Sequence, residues 1–341
     1  MNDERRETPM RRARAVDVLV VGAGPAGLAT AAALAAAGAG RVEVLERERQ
    51  AGGVPRHCHH GGFGDRTVAG LALPGLSGPR YARRCVEAAV RAGATVRTGV
   101  TATGWAGPRT LDTTSPRGLE RLTARAVVLA TGARERPRAA RLVPGSRPAG
   151  VYTTGELQQA VHLFGQHVGT RAVVVGAETV SYAALDTLRR AGVRVVAQVT
   201  PAGRPDAPAA RVASARLWHG IPLLTDADVA ELMGRGRLSG VRLRHRAGLS
   251  AEVACDTVVF TGDFVPDHDL ARRGGVPLAP GTRGLDVDAA FRTGLHGVFA
   301  VGNVAHAVEP ARVVAAEGRR AAESVRRFLA SGAWRSAASA R

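Results

Sequence analysis

Val16-Asp17-Val18-Leu19-Val20-Val21, then Gly22-Ala23-Gly24-Pro25-Ala26-Gly27, an alanine-rich run to Gly38, and Val42-Glu43-Val44-Leu45-Glu46 follow one another near the start of the chain. An apolar strand feeds a G-x-G-x-x-G turn, a helix follows, and a second strand ends in an acid. That is the complete βαβ unit in which this glycine spacing is credible as a dinucleotide site. Each glycine has its own task. Gly22 permits the tight turn, Gly24 lets a pyrophosphate approach the backbone with no Cβ in the way, and Gly27 lets the helix sit close on the strand. Ala23, Pro25 and Ala26 complete the turn, and the helix start turns unpaired N–H groups and a partial positive charge toward the phosphates. Glu46, nineteen residues past Gly27, is placed to accept hydrogen bonds from an adenosine ribose, with Arg47 beside it.

A chain of 341 residues is long enough for two domains with their own cores. Its formal charge of +18 comes entirely from arginine, since lysine is absent. The arginines are scattered and aromatic residues make up only 4%. A nucleic-acid surface wants basic clusters interleaved with aromatics, so that class is set aside in favour of a basic surface that attracts anionic cofactors or an acidic partner. Cys58, Cys85 and Cys255 are three in number and far apart. They offer no disulfide framework and no C-x-x-C or iron–sulfur spacing, which fits a reducing cytoplasm. The apolar run after the charged N-terminus is cut by Gly22 and Gly24, so neither a membrane span nor a signal core is expected.

Beyond Glu46, the segment Gly52-Gly53-Val54-Pro55-Arg56-His57-Cys58-His59-His60-Gly61-Gly62-Phe63-Gly64 is too glycine-rich and polar for regular structure and reads as a loop with something to hold. Pro79 to Ala92 reads as a helix, Thr95 to Thr103 as a strand, and Arg125 to Ala130 as a short apolar strand stopping at Thr131-Gly132. The Pro- and Gly-rich segment from Ala133 to Gly150 has the composition of a connection between domains. A second unit of the same type then starts. Its strand covers Arg171 to Val175, its turn lies at Gly176, its helix covers Ser181 to Arg190, and a strand follows from Val193 to Val199. Leu217 to Ala230 suggests a short strand after a helix, Val241 to His245 and Glu252 to Ala254 suggest a hairpin, and Thr257 to Phe260 a buried strand. Val298 to Val301 leads into Gly302-Asn303, and Pro310 suits the first position of an amphipathic helix reaching about Leu329.

The Gly22 turn, Ala130-Thr131-Gly132, the degenerate Gly176 turn and Val301-Gly302-Asn303, in that order, resemble the FAD-dependent pyridine nucleotide-disulfide oxidoreductase superfamily from about Val16 to Leu329. Gly53 to Gly64, Leu76 to Ala82 and Val143 to Gly155 look like a narrower group, similar to the FAD subunits of hydrogen cyanide synthase, opine oxidase and related dye-linked dehydrogenases. The resemblance implies an α/β fold with two Rossmann-like dinucleotide-binding domains, the second inserted into the first. The expected organisation is a disordered tail at 1–14, a FAD-binding domain at 15–149 and 256–330, an inserted NAD(P)-type domain at 150–255, and a tail at 331–341. It also implies that Gly302-Asn303, more often Gly-Asp, lies by the ribityl and pyrophosphate of FAD, and that the following helix aims its N-terminus at the flavin pyrimidine ring. Gly53, Thr131 and Gly132 join Gly22 to Gly27, Glu46 and Arg47 in the cofactor set.

The chain departs from the superfamily pattern in three ways. The redox cysteine pair is missing, which excludes thiol-disulfide exchange through an internal pair. The C-terminal dimerisation domain of the larger reductases and a cysteine-rich extension are not expected either. Third, Glu178 and Ser181 stand where the second and third glycines of the Gly176 turn belong, which weakens NAD(P) binding there. In His57-Cys58-His59-His60, four adjacent residues cannot all turn to one ion and no second Cys/His cluster exists, so a metal is not expected. Cys58 and His60, which match the narrower group, either face the isoalloxazine or a substrate channel, or belong to a loop that is merely packed, with Cys58 an inert thiol. The expected function is FAD-dependent hydride or electron transfer on a small-molecule substrate or NAD(P)H. The alternative is an electron-relay subunit serving a partner flavoprotein or ferredoxin within a dye-linked amine or hydroxy-acid dehydrogenase.

Overall fold

The computed structural model describes residues 12–64, 66–68, 71–73 and 75–334. Residues 1–11 and 335–341, most of the two expected tails, lie outside the described residues. In chain order the principal elements begin with β1 (Arg12–Val21), α1 (Pro25–Ala36), β2 (Val42–Glu46), α2 (Gly78–Arg91), β3 (Thr95–Thr98), β4 (Thr101–Gly107), β5 (Thr110–Ser115) and β6 (Gly118–Leu129). They continue with β7 (Val151–Thr153), α3 (Thr154–His162), β8 (Arg171–Val175), α4 (Thr179–Arg190), β9 (Arg194–Val199) and β10 (Leu223–Leu224). The rest are β11 (Ala227–Arg235), β12 (Arg237–His245), β13 (Ser250–Ala254), β14 (Thr257–Phe260), β15 (Val298–Ala300) and α5 (Ala311–Ser331). Two compact units emerge, one holding 1–56, 61–133 and 265–341, the other 57–60 and 134–264.

The first unit is built on a seven-stranded sheet of order β3-β2-β1-β6-β5-β4, with β15 also paired to β6. β3, β2, β1, β6 and β15 run parallel, while β4, β5 and β6 form an antiparallel meander. Strand β1 shows why the apolar run folds this way. Val18 and Val20 enter one core and Leu19 and Val21 the other, so alternate side chains feed both faces and none can be polar. α1 is alanine-rich because α5 lies against it closely. A Cβ at Gly318 of α5 would come 2.3 Å from the Ala26 carbonyl oxygen, so only glycine fits that crossing.

The second unit repeats the plan with a five-stranded parallel sheet of order β7-β14-β8-β9-β10. Beside it, β11, β12 and β13 form a three-stranded antiparallel sheet. The expected hairpin is therefore two strands of three, and its partner β11 occupies the stretch expected to end a helix-strand pair. Three other local expectations change. The strand from Thr95 breaks into β3 and β4 around Gly99, whose φ is +66°. β6 starts at Gly118, well before the apolar run at Arg125, because its polar first half pairs with β1 and β5. Pro310, with ψ 150°, precedes the first residue of α5 instead of occupying it.

Candidate functional site

In the first unit, the residues expected to hold a cofactor come together at the carboxyl ends of the parallel strands, where open α/β sheets place ligands. Gly22 has φ +108°, and a Cβ there would stand 2.3 Å from the Ala130 carbonyl oxygen. A Cβ on Gly27 would stand 2.0 Å from the Gly22 carbonyl oxygen. Both glycines are thus required by the fold itself. Gly24 is different. Its backbone is extended (φ −81°, ψ −178°), which any residue adopts, and a Cβ there would meet nothing within 4 Å. It opens onto a cradle at the start of α1, whose first N–H groups have no side-chain cap.

The loop after β2 closes over this turn. The Gly52 N–H donates to the Ala23 carbonyl at 2.8 Å, and Gly53 (φ +63°) lies so near that its Cβ would stand 2.8 Å from the Gly24 Cα. Glu46, 8% exposed, accepts from the Ala23 N–H at 3.2 Å through Oε2 and from the Glu48 N–H at 2.9 Å through Oε1. Burial pushes its carboxyl up from the usual range, against the pull of those two backbone bonds. Each oxygen keeps a lone pair for a further donor. Arg47 is 3.4 Å from Asp267 Oδ2. Thr131 Oγ1 donates to the Asp267 carbonyl at 2.6 Å, and the Asp267 N–H donates to the Gly132 carbonyl at 2.8 Å.

Gly302 (φ +73°) follows β15, and its Cβ would lie 2.9 Å from the Ala26 Cβ. The side chain of Asn303 closes the loop leading into α5. Its Oδ1 accepts from the Glu309 N–H at 2.8 Å and its Nδ2 donates to the Glu309 carbonyl at 3.3 Å. Sequence reasoning missed a second tie on this loop. His306 Nε2 lies 3.1 Å from Glu317 Oε1, and Glu317 is 7% exposed. The signal was present, because Glu317 is a lone carboxylate inside the buried stripe Val314, Ala315, Gly318, Ala321 and Ala322 of α5.

Cys58 and His60 fall in the four-residue segment that groups with the second unit. Cys58 Sγ donates to Gln158 Oε1 of α3 at 3.3 Å, and burial followed by the nearby Glu135 carboxylate pushes the thiol up to about 12. At neutral pH it is a protonated hydrogen-bond donor and carries almost no thiolate. The rings of His59 and His162 stack at 4.0 Å, so residues 58 and 59 both rest on α3 through positions 158 and 162, one helical turn apart. Among the described residues no disulfide joins the three cysteines, and no three His, Cys, Asp or Glu side chains gather as a metal site would require.

The turn after β8 is built differently from the turn after β1. Glu178 is the residue just before α4, and its carboxylate folds back over the turn, accepting from Thr261 Oγ1. It stands where a Cβ on Gly176 would come within 2.7 Å of its Oε2, and one on Gly262 within 2.7 Å of its Oε1. Ser181 is fully buried, and its hydroxyl bonds Thr261 Oγ1 at 2.8 Å. Gln198, at the end of β9, donates to the Gly176 carbonyl at 2.9 Å. The Asp206 N–H donates to the Ala177 carbonyl at 2.9 Å, laying the following loop along the same turn.

Comparisons with known proteins agree with this architecture. The sequence matches the family profile of pyridine nucleotide-disulphide oxidoreductases over residues 16–319. It is 30% identical over 273 residues to the sarcosine oxidase subunit alpha of Corynebacterium sp. (strain U-96), covering 73% of this chain and 26% of that protein. The subunit of the same name from Rhizobium meliloti (strain 1021) is 32% identical over 190 residues, covering 52% of this chain and 18% of that protein. The chain therefore spans about a quarter or less of these relatives. In fold it is similar to T. acidophilum thioredoxin reductase (TM-score 0.77, 23% identity, covering 93% of this chain and all of that one). It is also similar to the bacillithiol disulfide reductase of Bacillus cereus (TM-score 0.74, 20% identity, 94% and 100% covered) and to L-proline dehydrogenase from P. horikoshii (TM-score 0.70, 16% identity, 94% and 57% covered). No helix among the described residues is long and apolar enough to cross a membrane. The chain belongs to the pyridine nucleotide-disulphide oxidoreductase family and is an FAD-dependent oxidoreductase of two Rossmann-type units.

Proposed function

We propose that the protein holds one non-covalent FAD at the first turn and carries out electron transfer without a cysteine pair, drawing its electrons from a donor other than NAD(P)H. The observation that carries this reading is the contrast between the two turns: open space at Gly24, a folded-back carboxylate at Glu178. When bound, FAD supplies hydride or electron transfer, and the chain supplies binding and orientation. In this reading Gly24 and the first N–H groups of α1 take the pyrophosphate, and Glu46 takes the adenosine ribose with its free lone pairs. Gly53 and Arg47 flank that end, while Thr131, Gly132, Gly302 and Asn303 border the ribityl chain. The N-terminal turn of α5 brings a partial positive charge to the pyrimidine edge.

At the second turn, an ionised carboxylate about 4 Å from a pyrophosphate oxygen costs on the order of 4 kcal/mol at an effective dielectric near 20, roughly a thousandfold in affinity. Moving Glu178 outward breaks its bond from Thr261, so the loss persists in part even then. That observation, with relatives whose names designate them subunits of an amine oxidase, favours an electron-relay subunit whose partner flavoprotein does the substrate chemistry. The test is cofactor content followed by donor specificity. Purified protein should be yellow, release one FAD per chain on denaturation, and be reduced by sarcosine or another secondary amine only together with its partner. A colourless protein that takes up no FAD on reconstitution overturns the reading.

A further inference from the structure

The second unit carries a cavity at the opposite end of its parallel sheet from the Gly176 turn. Arg171 opens β8 and Arg194 opens β9, and the two are register partners on adjacent strands. Like charges side by side across a ladder destabilise it unless something lies between them. Among the described residues little does so. Arg171 Nε donates to the Ala254 carbonyl at 3.3 Å, and the Arg194 guanidinium has no partner among the described residues. Arg189, in the last turn of α4, adds a third positive charge, 3.6 Å from Asp186. Glu252, the acid on the cavity wall, is already engaged with Arg242 Nη2 at 2.9 Å. The cavity measures about 840 Å³, and its wall includes Trp218, which is 81% exposed. That volume falls within the usual range for small-ligand sites, and a bare indole beside guanidinium groups that keep donors free for an anion is the pairing that takes up a planar ring with an oxyanion attached.

We propose that this cavity binds a small aromatic anion, its ring against Trp218 and its carboxylate or phosphate between Arg171 and Arg194. The guanidinium forks offer bidentate hydrogen bonds to either oxyanion, and the anion removes the cross-strand repulsion. Occupancy therefore raises the unfolding temperature and weakens as salt is added.

Isothermal titration of the full-length, FAD-loaded protein tests this, with the first turn already filled by its own cofactor. Adenosine monophosphate, benzoate, inorganic phosphate and adenosine serve as probes. At least one of the two aromatic anions should bind saturably, one per chain, about tenfold or more above phosphate and above adenosine. Preference between them separates a phosphorylated from a carboxylated ligand. Arg171→Ala combined with Arg194→Ala should weaken that anion by about tenfold or more, while Trp218→Ala should bring it down to the level of phosphate. Unchanged FAD content in both variants reports an intact fold. No saturable binding of either aromatic anion at millimolar concentration overturns the proposal, as does binding that survives both variants.

Discussion

Replacing Gly24 by valine separates what the glycine turn does for the fold from what it does for the cofactor. The backbone there is extended, a conformation valine adopts readily, and its Cβ would point into open space. The cofactor-free protein should therefore lose no more than about 1 kcal/mol of stability. The same branched carbons block the approach of the pyrophosphate to the first N–H groups of α1. Losing two charge-assisted hydrogen bonds there costs about 3–6 kcal/mol, or roughly 10²- to 10⁴-fold in FAD affinity. Gly27→Val is the matched control, because its Cβ would stand 2.0 Å from the Gly22 carbonyl oxygen and 3.2 Å from the Ala130 Cβ. Overpacking against backbone should cost about 3 kcal/mol whether or not FAD is present. The assay is urea unfolding of FAD-stripped wild type and both variants, with FAD titration followed by flavin fluorescence. FAD binding by Gly24→Val within tenfold of wild type, or a stripped form that unfolds as early as that of Gly27→Val, would refute this role for Gly24.

Cys58, a protonated thiol held near 12, should resist iodoacetamide at pH 8 in the folded protein and react only on unfolding. Rapid labelling, or mass-spectrometric evidence of a disulfide to Cys85 or Cys255, would contradict its environment. Cys58→Ser should keep FAD bound, and unchanged flavin reduction kinetics in that variant would leave the residue a purely structural role. Asp256 accepts from the backbone N–H groups of Thr170 and Arg171 and from the hydroxyls of Thr170 and Thr257. Burial alone would raise its carboxyl, but those bonds prevail and hold it at about 2, against an ordinary 3.8. The folded value lies below the unfolded one, so the stabilisation is present above about pH 4 and disappears as pH falls toward 2. Asp256 is partly exposed and its carboxylate partly screened, so Asp256→Asn should cost about 1 kcal/mol at pH 7 rather than the roughly 2.5 the full shift implies. In a pH series of urea melts, a difference that stays constant down to pH 2 would refute the assignment.

The first turn was legible because its requirements are local. Strand, glycine spacing, helix and terminal acid all fall within about thirty residues. What the sequence hid depends on partners far along the chain. The early half of β6 reads as polar because it carries Glu120, 9% exposed, which is paired with Arg14 of the adjacent β1 and Arg97 of β3. An apolar-run criterion therefore begins that strand too late. At the second turn, spacing exposed the substitution of two glycines but not its outcome. The buried bond between Ser181 and Thr261 joins residues eighty positions apart, and the same Thr261 hydroxyl donates to Glu178. Asn303 was found by its place after β15, yet its bonds to Glu309 follow from how that loop closes, which no periodicity records.

On the proposed reading, electrons do not enter from NAD(P)H at the Gly176 turn. Anaerobic stopped-flow mixing of the FAD-loaded protein with NADH and with NADPH, followed at the flavin absorbance, tests it most directly. Both cofactors should reduce the flavin slowly at micromolar concentration, with a gain in rate when Glu178→Gly and Ser181→Gly together reopen the turn. Full reduction of the wild-type flavin within a second by either cofactor would contradict it and assign the chain a conventional NAD(P)H-dependent reductase activity.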